Sequence, residues 1–142
     1  MQTSDSQRIA LVVDHDAWER WLTTDMLVGQ GYAVLGASNG ASGLRLVEQH
    51  QCDVILIDLA LPELPGLEFL QQLKATDRTR EIPVIVLGAS PDDRPGTAEG
   101  CVPRPLEQVR VMTEVARCLS AGSNKVSCDW FASQSCGPTG GR

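Results

Sequence analysis

The segment Val54–Gly66 reads VILIDLALPELPG, and it decides how the rest of the chain is interpreted. Four apolar residues lead directly into one acid, Asp58, and three further residues precede Pro62 and a loop. A short apolar run of this kind is typical of a strand buried on both faces of a parallel sheet. Open parallel sheets carry their sites at the carboxyl ends of the strands, so Asp58 is the first candidate site residue.

The composition indicates a globular protein with one domain. The chain has 142 residues, of which 42% are hydrophobic, enough for a sizeable buried core. The formal net charge of -6 argues against general binding to nucleic acid or to an anionic membrane, because both require basic patches. It leaves magnesium ions or a basic protein surface as compatible partners.

The sequence predicts a cytoplasmic protein. No apolar run approaches the ~20 residues that span a bilayer, and the apolar stretch Ile9–Val13 is too short for a signal peptide. The five cysteines are then expected to stay reduced, and none forms a CxxC pair, which argues against a structural zinc site.

Strand-like and helix-like segments alternate along the chain. Strands are predicted at 8–13, 32–37, 53–57, 83–87 and 101–102. Helices are predicted at 17–29, with Trp18, Leu22 and Met26 at helical spacing, and at 40–50, 67–76 and 106–119, the last with Val109, Met112 and Ala116 inward. This alternation predicts an α/β fold with a doubly wound parallel sheet of five strands. We take it to be flavodoxin-like, and the strand order 2-1-3-4-5 is the order of that fold.

One segment interrupts the alternation. Residues 90–100 read SPDDRPGTAEG and contain two prolines and two glycines, so the fourth helix of such a fold is predicted to be shortened or absent. We predict a domain at 8–120, between a disordered N-terminus at 1–7 and a disordered C-terminal tail at 121–142.

Charged residues follow three of the predicted strands. If strands one and three are neighbours, Asp14 and Asp58 converge, and Arg104 reaches in from the far side. Two converged carboxylates repel each other unless a cation or a proton lies between them, and Mg²⁺ suits such an oxygen-rich site. An Asp carboxylate can also act as a nucleophile toward phosphorus, which gives Asp58 a candidate role as a phosphoryl acceptor.

Two neighbours of Asp14 have competing interpretations. Asp16 fits a helix N-cap, with Glu19 three residues later as its capping-box partner, which is a structural role. His15 is either a tolerated replacement or a transition-metal ligand and pH-sensitive group beside Asp14 and Asp58.

The sequence resembles the receiver domain of bacterial two-component response regulators over about residues 8–119. The segments ALVVDHD, GYAVLGASNGASGL, CDVILIDLALPELPGLEFL and IPVIVLGA follow the pattern of that family in order and spacing, and the segment with Asp58, Pro62 and Gly66 is the most specific. The resemblance implies that Asp58 is the phosphoacceptor, charged by a sensor histidine kinase, a phosphotransfer protein or a small phosphodonor. It implies Mg²⁺ at Asp14 and Asp58, with the backbone carbonyl of Ala60 as a further ligand.

Several positions depart from the family pattern. His15 stands where the family has a second acid that typically ligates the metal, and Gly88 stands where it has Thr or Ser. Arg104 replaces the family lysine, Pro105 is kept, and Cys101 replaces an aromatic residue. Magnesium binding is therefore expected to be weak or lost, and the peptide bond before Pro105 is expected to be cis, as it often is in the family.

Two functions agree with these features. One is a stand-alone receiver that accepts a phosphoryl group on Asp58 and signals by contact with a downstream protein. It would be no enzyme beyond self-phosphorylation and autodephosphorylation at Asp58. The other is a phosphorylation-independent pseudo-receiver that acts as a docking module. A phosphohydrolase would want a second acid at Ala60, and a flavin carrier would want a phosphate-binding loop after the first strand. A monomer is expected, because the usual dimer face of the family involves the fourth helix.

Overall fold

Five parallel strands form one sheet. The computed structural model describes residues 7–61, 64–90, 92 and 94–122. The strands are β1 (Ile9–Val13), β2 (Ala33–Ala37), β3 (Val54–Asp58), β4 (Val84–Leu87) and β5 (Gly100–Val102). Their order is β2-β1-β3-β4-β5, so the predicted topology is confirmed.

Four helices cover the two faces of this sheet. They are α1 (Ala17–Gly29), α2 (Gly40–Gln49), α3 (Gly66–Ala75) and α4 (Gln108–Gly122). Helices α1 and α4 contact each other on one face, and α2 and α3 contact each other on the other face. The predicted terminal segments 1–7 and 121–142 lie for the most part outside the described residues, so the domain limits stay a prediction.

The strands are buried on both sides, which explains their near-continuous apolar sequences. In β1, Leu11 and Val13 pack into the core layer under α2 and α3, whereas Ala10 and Val12 pack into the layer under α1 and α4. This division follows from the two-residue repeat of a strand, whose successive side chains point to opposite faces. Phe69, fully buried, is among the largest side chains of the first layer.

Two helix faces agree with the prediction only in part: Met26 of α1 and Met112 of α4 are partly buried against the core, whereas other predicted residues are not. In α1 the ring of Trp18 is 66% exposed and stacks on the exposed Trp21, while Thr23 and Leu27 are buried. In α4 the predicted inward residue Val109 is 76% exposed. Ala116 is also exposed, and the buried residues are Val111, Val115 and Cys118. How each helix packs against the sheet, which the sequence does not reveal, decides which of its apolar residues are buried.

The described residues between β4 and β5 form turns and bends without a helix, as predicted for a shortened or absent fourth helix. The segment is nevertheless anchored. Ala89 and Ala98 are buried in the core, and the carboxylate of Glu99 accepts hydrogen bonds from Lys74 Nζ at 2.9 Å and from the Val84 N–H at 2.8 Å. Lys74 also donates to the backbone carbonyls of Arg80 and Ile82.

Among the described residues, no helix combines the length and apolar character needed for a membrane crossing.

Candidate functional site

The sheet register brings the predicted acids together. Val13 of β1 pairs with Ile57 of β3, so the next residue of each strand path, Asp14 and Asp58, lies at the same carboxyl edge. Asp14 is 0% exposed and Asp58 is 2% exposed. The Asp14 N–H donates to the carbonyl of Ala37 at 3.0 Å, which continues the pairing of β1 with β2 and fixes the start of the loop.

His15 closes the gap between the two acids. Its Nδ1 lies 2.9 Å from Asp58 Oδ2 and 4.0 Å from Asp14 Oδ1, while the side chain itself is 49% exposed. Oxygen atoms of the two carboxylates and a ring nitrogen of His15 all lie within 4.8 Å of one another. The imidazole therefore belongs to the same cluster as the two carboxylates.

Short backbone turns hold both carboxylates in place. The Asp16 N–H donates to Asp14 Oδ1 at 3.0 Å, and the Ala60 N–H donates to Asp58 Oδ1 at 3.0 Å. Hydrogen bonds that an Asp carboxylate accepts from the backbone N–H two residues later are typical of Asx turns, which fix the chain direction at a loop. Ala60 thus lies at the site, and the predicted role of its carbonyl as a metal ligand stays a prediction.

Asp16 caps α1, as predicted. Its Oδ1 accepts hydrogen bonds from the backbone N–H groups of Trp18 at 2.9 Å and Glu19 at 3.3 Å. This satisfies two of the donors that a helix N-terminus leaves without intrahelical partners. Asp16 is exposed, and its side chain serves the helix.

Arg104 reaches the cluster from the loop after β5, as predicted. Its Nη2 lies 3.7 Å from Asp58 Oδ1 and donates to Glu19 Oε1 at 2.9 Å. The Arg104–Pro105 peptide bond is cis, as expected. The guanidinium therefore lies nearest Asp58 Oδ1, whereas the imidazole of His15 lies nearest Oδ2, so the two oxygens of Asp58 face different groups.

Gly88 makes room for this guanidinium. Its φ of +85° lies in the region that favours glycine, and its N–H donates to the Val102 carbonyl at 2.7 Å. A Cβ at this position would lie 2.7 Å from Cζ of Arg104 and would overlap Nη1. The side chain of Arg104 and any side chain at position 88 thus compete for one space.

Glu19 is a site residue that the sequence prediction missed. The capping-box interpretation was wrong, because the Asp16 N–H donates to Asp14 and the Glu19 carboxylate accepts from Arg104. Glu19 Oε2 is buried and, among the described residues, has no hydrogen-bond partner. The sequence did contain a signal for this role, because Glu19 lies in the first turn of α1, close to Asp14 in the chain.

The surroundings of Asp14 disfavour its charge. Burial and, to a smaller extent, the neighbouring carboxyls of Glu19 and Asp58 together raise its pKa from 3.8 to about 6, although the hydrogen bond from the Asp16 N–H opposes the rise. Asp14 Oδ2 is buried and has no hydrogen-bond partner in the described part of the chain. A cation or a proton at this oxygen would relieve the repulsion between the acids.

The donor set fits Mg²⁺ only in part. Mg²⁺ is held through one or two carboxylates with water and phosphate oxygens, which Asp14 and Asp58 can supply. The third donor is an imidazole nitrogen, which suits Zn²⁺, Ni²⁺ or Cu²⁺ better than Mg²⁺. The cluster therefore offers a divalent cation a donor set that is mixed in character.

Comparisons with known proteins show the family of this chain. Residues 10–102 match the family described as response regulator receiver domain. The polar-differentiation response regulator DivK of Brucella anthropi is 31% identical over 111 residues, which cover 74% of this chain and 90% of that protein. Protein PilH of Pseudomonas aeruginosa is 39% identical over 77 residues, covering 54% of this chain and 64% of that protein.

Solved structures share the fold. The signal receiver domain of a signal transduction histidine kinase from Syntrophus aciditrophicus superposes with a TM-score of 0.73 at 26% identity. The match covers 80% of this chain and 91% of that domain.

Proposed function

Because the chain belongs to the response regulator receiver domain family, we propose that it acts in two-component signalling by accepting a phosphoryl group on Asp58. The supporting observation is the environment of this carboxylate. Asp58 is buried at a strand end between a guanidinium on one side and the cluster of Asp14 and His15 on the other. Among the described acids at this edge, Asp58 is the one that lies within 4 Å of both Arg104 and His15.

The two oxygens of Asp58 have separate roles in this proposal. Oδ2 faces His15 at 2.9 Å, on the side of the cation cluster. Oδ1 faces Arg104 at 3.7 Å, so it is the nucleophile. A lone pair of Oδ1 forms the new O–P bond, while the P–N bond of a phosphohistidine or the P–O bond of an acyl phosphate breaks. The bonding pair leaves with the donor, and the phosphoryl oxygens keep their charge.

Arg104 stabilises the charge that moves toward Asp58. Its guanidinium is held over Gly88 by the hydrogen bond to Glu19, close to where the phosphoryl oxygens would lie. A donor preorganised at a site of developing charge lowers the barrier more than one that must first be oriented. The planar guanidinium offers several N–H donors, so it can keep Glu19 and bind a phosphoryl oxygen together.

Asp14 and Asp58 would hold the divalent cation, with His15 as the third donor. Receiver domains bind Mg²⁺ at an acidic site. A bound divalent cation neutralises carboxylate and phosphoryl charge during transfer. Asp14 is suited to this role, because its buried Oδ2 has no other hydrogen-bond partner among the described residues.

The partners follow from the family. Receiver domains interact with histidine kinases or phosphotransfer proteins and with downstream proteins. We propose that this chain is charged by such a donor and signals by protein contact. A monomer is the proposed state, because the described residues between β4 and β5 form no helix on which the usual dimer face could be built.

Intact-protein mass spectrometry after incubation with acetyl phosphate tests the proposal. We expect the wild-type protein to gain one phosphoryl group in Mg²⁺ or in Mn²⁺, and Asp58→Asn to gain none. Asp16→Asn is the matched control, because it alters an exposed acid two residues from Asp14 and keeps the helix cap. No gain in either metal, under conditions that label an ordinary receiver, would favour the phosphorylation-independent docking module.

A further inference from the structure

The cation cluster has a donor set of mixed chemistry. Its atoms are carboxylate oxygens of Asp14 and Asp58 and a ring nitrogen of His15. Carboxylates suit Mg²⁺, Ca²⁺ and Mn²⁺, whereas imidazole suits Zn²⁺, Cu²⁺, Fe²⁺ and Ni²⁺, and affinities rise along the first transition row. One nitrogen among the donors therefore shifts the preference away from Mg²⁺.

The spacing of the donors suits a small transition ion. Donors bound at about 2.0–2.2 Å to a tetrahedral ion lie roughly 3.4 Å apart. His15 Nδ1 lies 2.9 Å from Asp58 Oδ2 and 4.0 Å from Asp14 Oδ1, so the two distances lie on either side of that value. The side chain of His15 is half-exposed, and a small rotation of it would make its distances to the two carboxylates more nearly equal.

An independent observation at the same cluster points to a ligand. Asp14 is fully buried, yet its Oδ2 has no hydrogen-bond partner among the described residues. A buried carboxylate oxygen without a partner costs free energy, and native proteins pair such atoms with a donor, an ordered water or an ion. A cation bound by the Asp14 carboxylate would satisfy it, as would a proton shared with the neighbouring Glu19 carboxyl, whose Oε2 is also buried without a partner among the described residues.

We propose that Asp14, His15 and Asp58 form a site that prefers a divalent first-row transition ion, such as Co²⁺ or Zn²⁺, over Mg²⁺. This inference rests on the proposed function in one respect: it specifies which cation binds at the site to which that function already assigns a cation. Metal binding is measured without a phosphodonor, so a failure here is distinguishable from a failure of Asp58 to accept a phosphoryl group.

Isothermal titration calorimetry with Co²⁺ and with Mg²⁺ tests the preference. His15→Asp replaces the nitrogen by a carboxylate. It is expected to weaken Co²⁺ binding at least tenfold relative to Mg²⁺ and to strengthen Mg²⁺ binding in absolute terms. His15→Ala should weaken Co²⁺ binding without the gain in Mg²⁺ affinity. His50→Asn is the matched control, because it removes the other histidine of the chain, exposed at the end of α2, and should change neither affinity.

The visible spectrum of the Co²⁺ complex gives a second readout. Nitrogen and oxygen ligands give d–d bands, whereas cysteine ligands add a thiolate charge-transfer band in the near ultraviolet. We expect d–d bands without the charge-transfer band, and their loss in His15→Ala. Equal Co²⁺-to-Mg²⁺ preference in wild type and His15→Asp would overturn the proposal, as would thiolate ligation or loss of Co²⁺ binding in His50→Asn.

Discussion

The guanidinium of Arg104 fills the space that a side chain on Gly88 would enter. A Cβ on Gly88 would lie 2.7 Å from Cζ of Arg104, and the hydrogen bond from Nη2 to Glu19 holds the guanidinium in that position. The two residues therefore depend on each other. The hydroxyl side chain and the lysine that receiver domains usually have at these positions would have to be restored together.

Gly88→Thr is therefore expected to destabilise the protein, and Arg104→Lys is expected to recover part of the loss. A non-glycine residue at the φ of +85° costs about 1–3 kcal/mol of strain, which the second change does not remove. The overlap with the end of the half-exposed Arg104 side chain adds a smaller cost, which Arg104→Lys relieves. Denaturant unfolding of the two single variants and the double variant gives the coupling free energy, which we expect to be about 0.5–1 kcal/mol.

Additive effects of Gly88→Thr and Arg104→Lys would contradict this relationship. They would mean that the guanidinium leaves the space above Gly88 at little cost. Gly96→Ala is a useful comparison, because a Cβ at Gly96 meets nothing within 4 Å, and no coupling with Arg104→Lys is expected there.

Asp14→Asn should change how stability depends on pH. Burial and neighbouring carboxyls raise the pKa of Asp14 from 3.8 to about 6, so the folded state binds this proton more tightly than the unfolded state. Proton binding by Asp14 therefore stabilises the folded state. This contribution to the unfolding free energy is fully present below about pH 4 and is lost as the pH rises to about 6. Relative to wild type, Asp14→Asn should therefore gain about 1–3 kcal/mol of unfolding free energy between pH 4 and pH 7.

Urea unfolding at several pH values, in buffer without divalent cations, measures this difference for Asp14→Asn. Parallel curves for the variant and the wild type across pH 4–7 would contradict the account. They would show that Asp14 carries its charge in the folded state without a penalty.

The buried face of α1 is tested by neighbouring substitutions. Leu27→Ala should cost about 2–5 kcal/mol, because Leu27 is fully buried in the layer under α1 and α4. Val28→Ala should change stability by no more than about 0.5 kcal/mol, because Val28 is more than half exposed. Thermal or urea unfolding of the two variants measures both values, and similar costs would mean that the helix is rotated in solution.

Lys74 anchors the segment that stands in place of the missing helix. Lys74→Met should cost about 1–3 kcal/mol, because it leaves the carbonyls of Arg80 and Ile82 and the carboxylate of Glu99 without this donor. Asp77→Asn is the control: it removes an exposed ion pair with Arg80 and should change stability by no more than about 1 kcal/mol. An equal effect of the two changes in urea unfolding would show that Lys74 has no anchoring role.

The strands were predictable from the sequence because buried parallel strands are near-continuous apolar runs, and their order was taken from the flavodoxin-like fold to which the alternation of strands and helices was assigned. Knowing that Val54–Asp58 lies beside Ile9–Val13 was enough to bring Asp14 and Asp58 together, since Asp14 directly follows β1 and Asp58 is the last residue of β3. The approach of Arg104 followed from the same reasoning about strand ends.

Side-chain direction was not predictable in the same way. Glu19 satisfied a helix-capping pattern, yet its carboxylate turns to Arg104, because the Asp16 N–H already has Asp14 as its acceptor. Val109 satisfied a helical spacing, yet the packing of α4 against the sheet leaves it in solvent. Such choices depend on contacts between distant segments, which local spacing does not contain.

Borohydride trapping is the most direct test of the central claim that Asp58 is the phosphoryl acceptor. Borohydride reduces an aspartyl phosphate to homoserine, and peptide mass spectrometry locates the changed residue. After treatment with acetyl phosphate and a divalent cation, we predict homoserine at position 58 and unchanged aspartates at positions 14 and 16. Homoserine at position 14 or 16, or no homoserine under conditions that trap an ordinary receiver, would contradict the account.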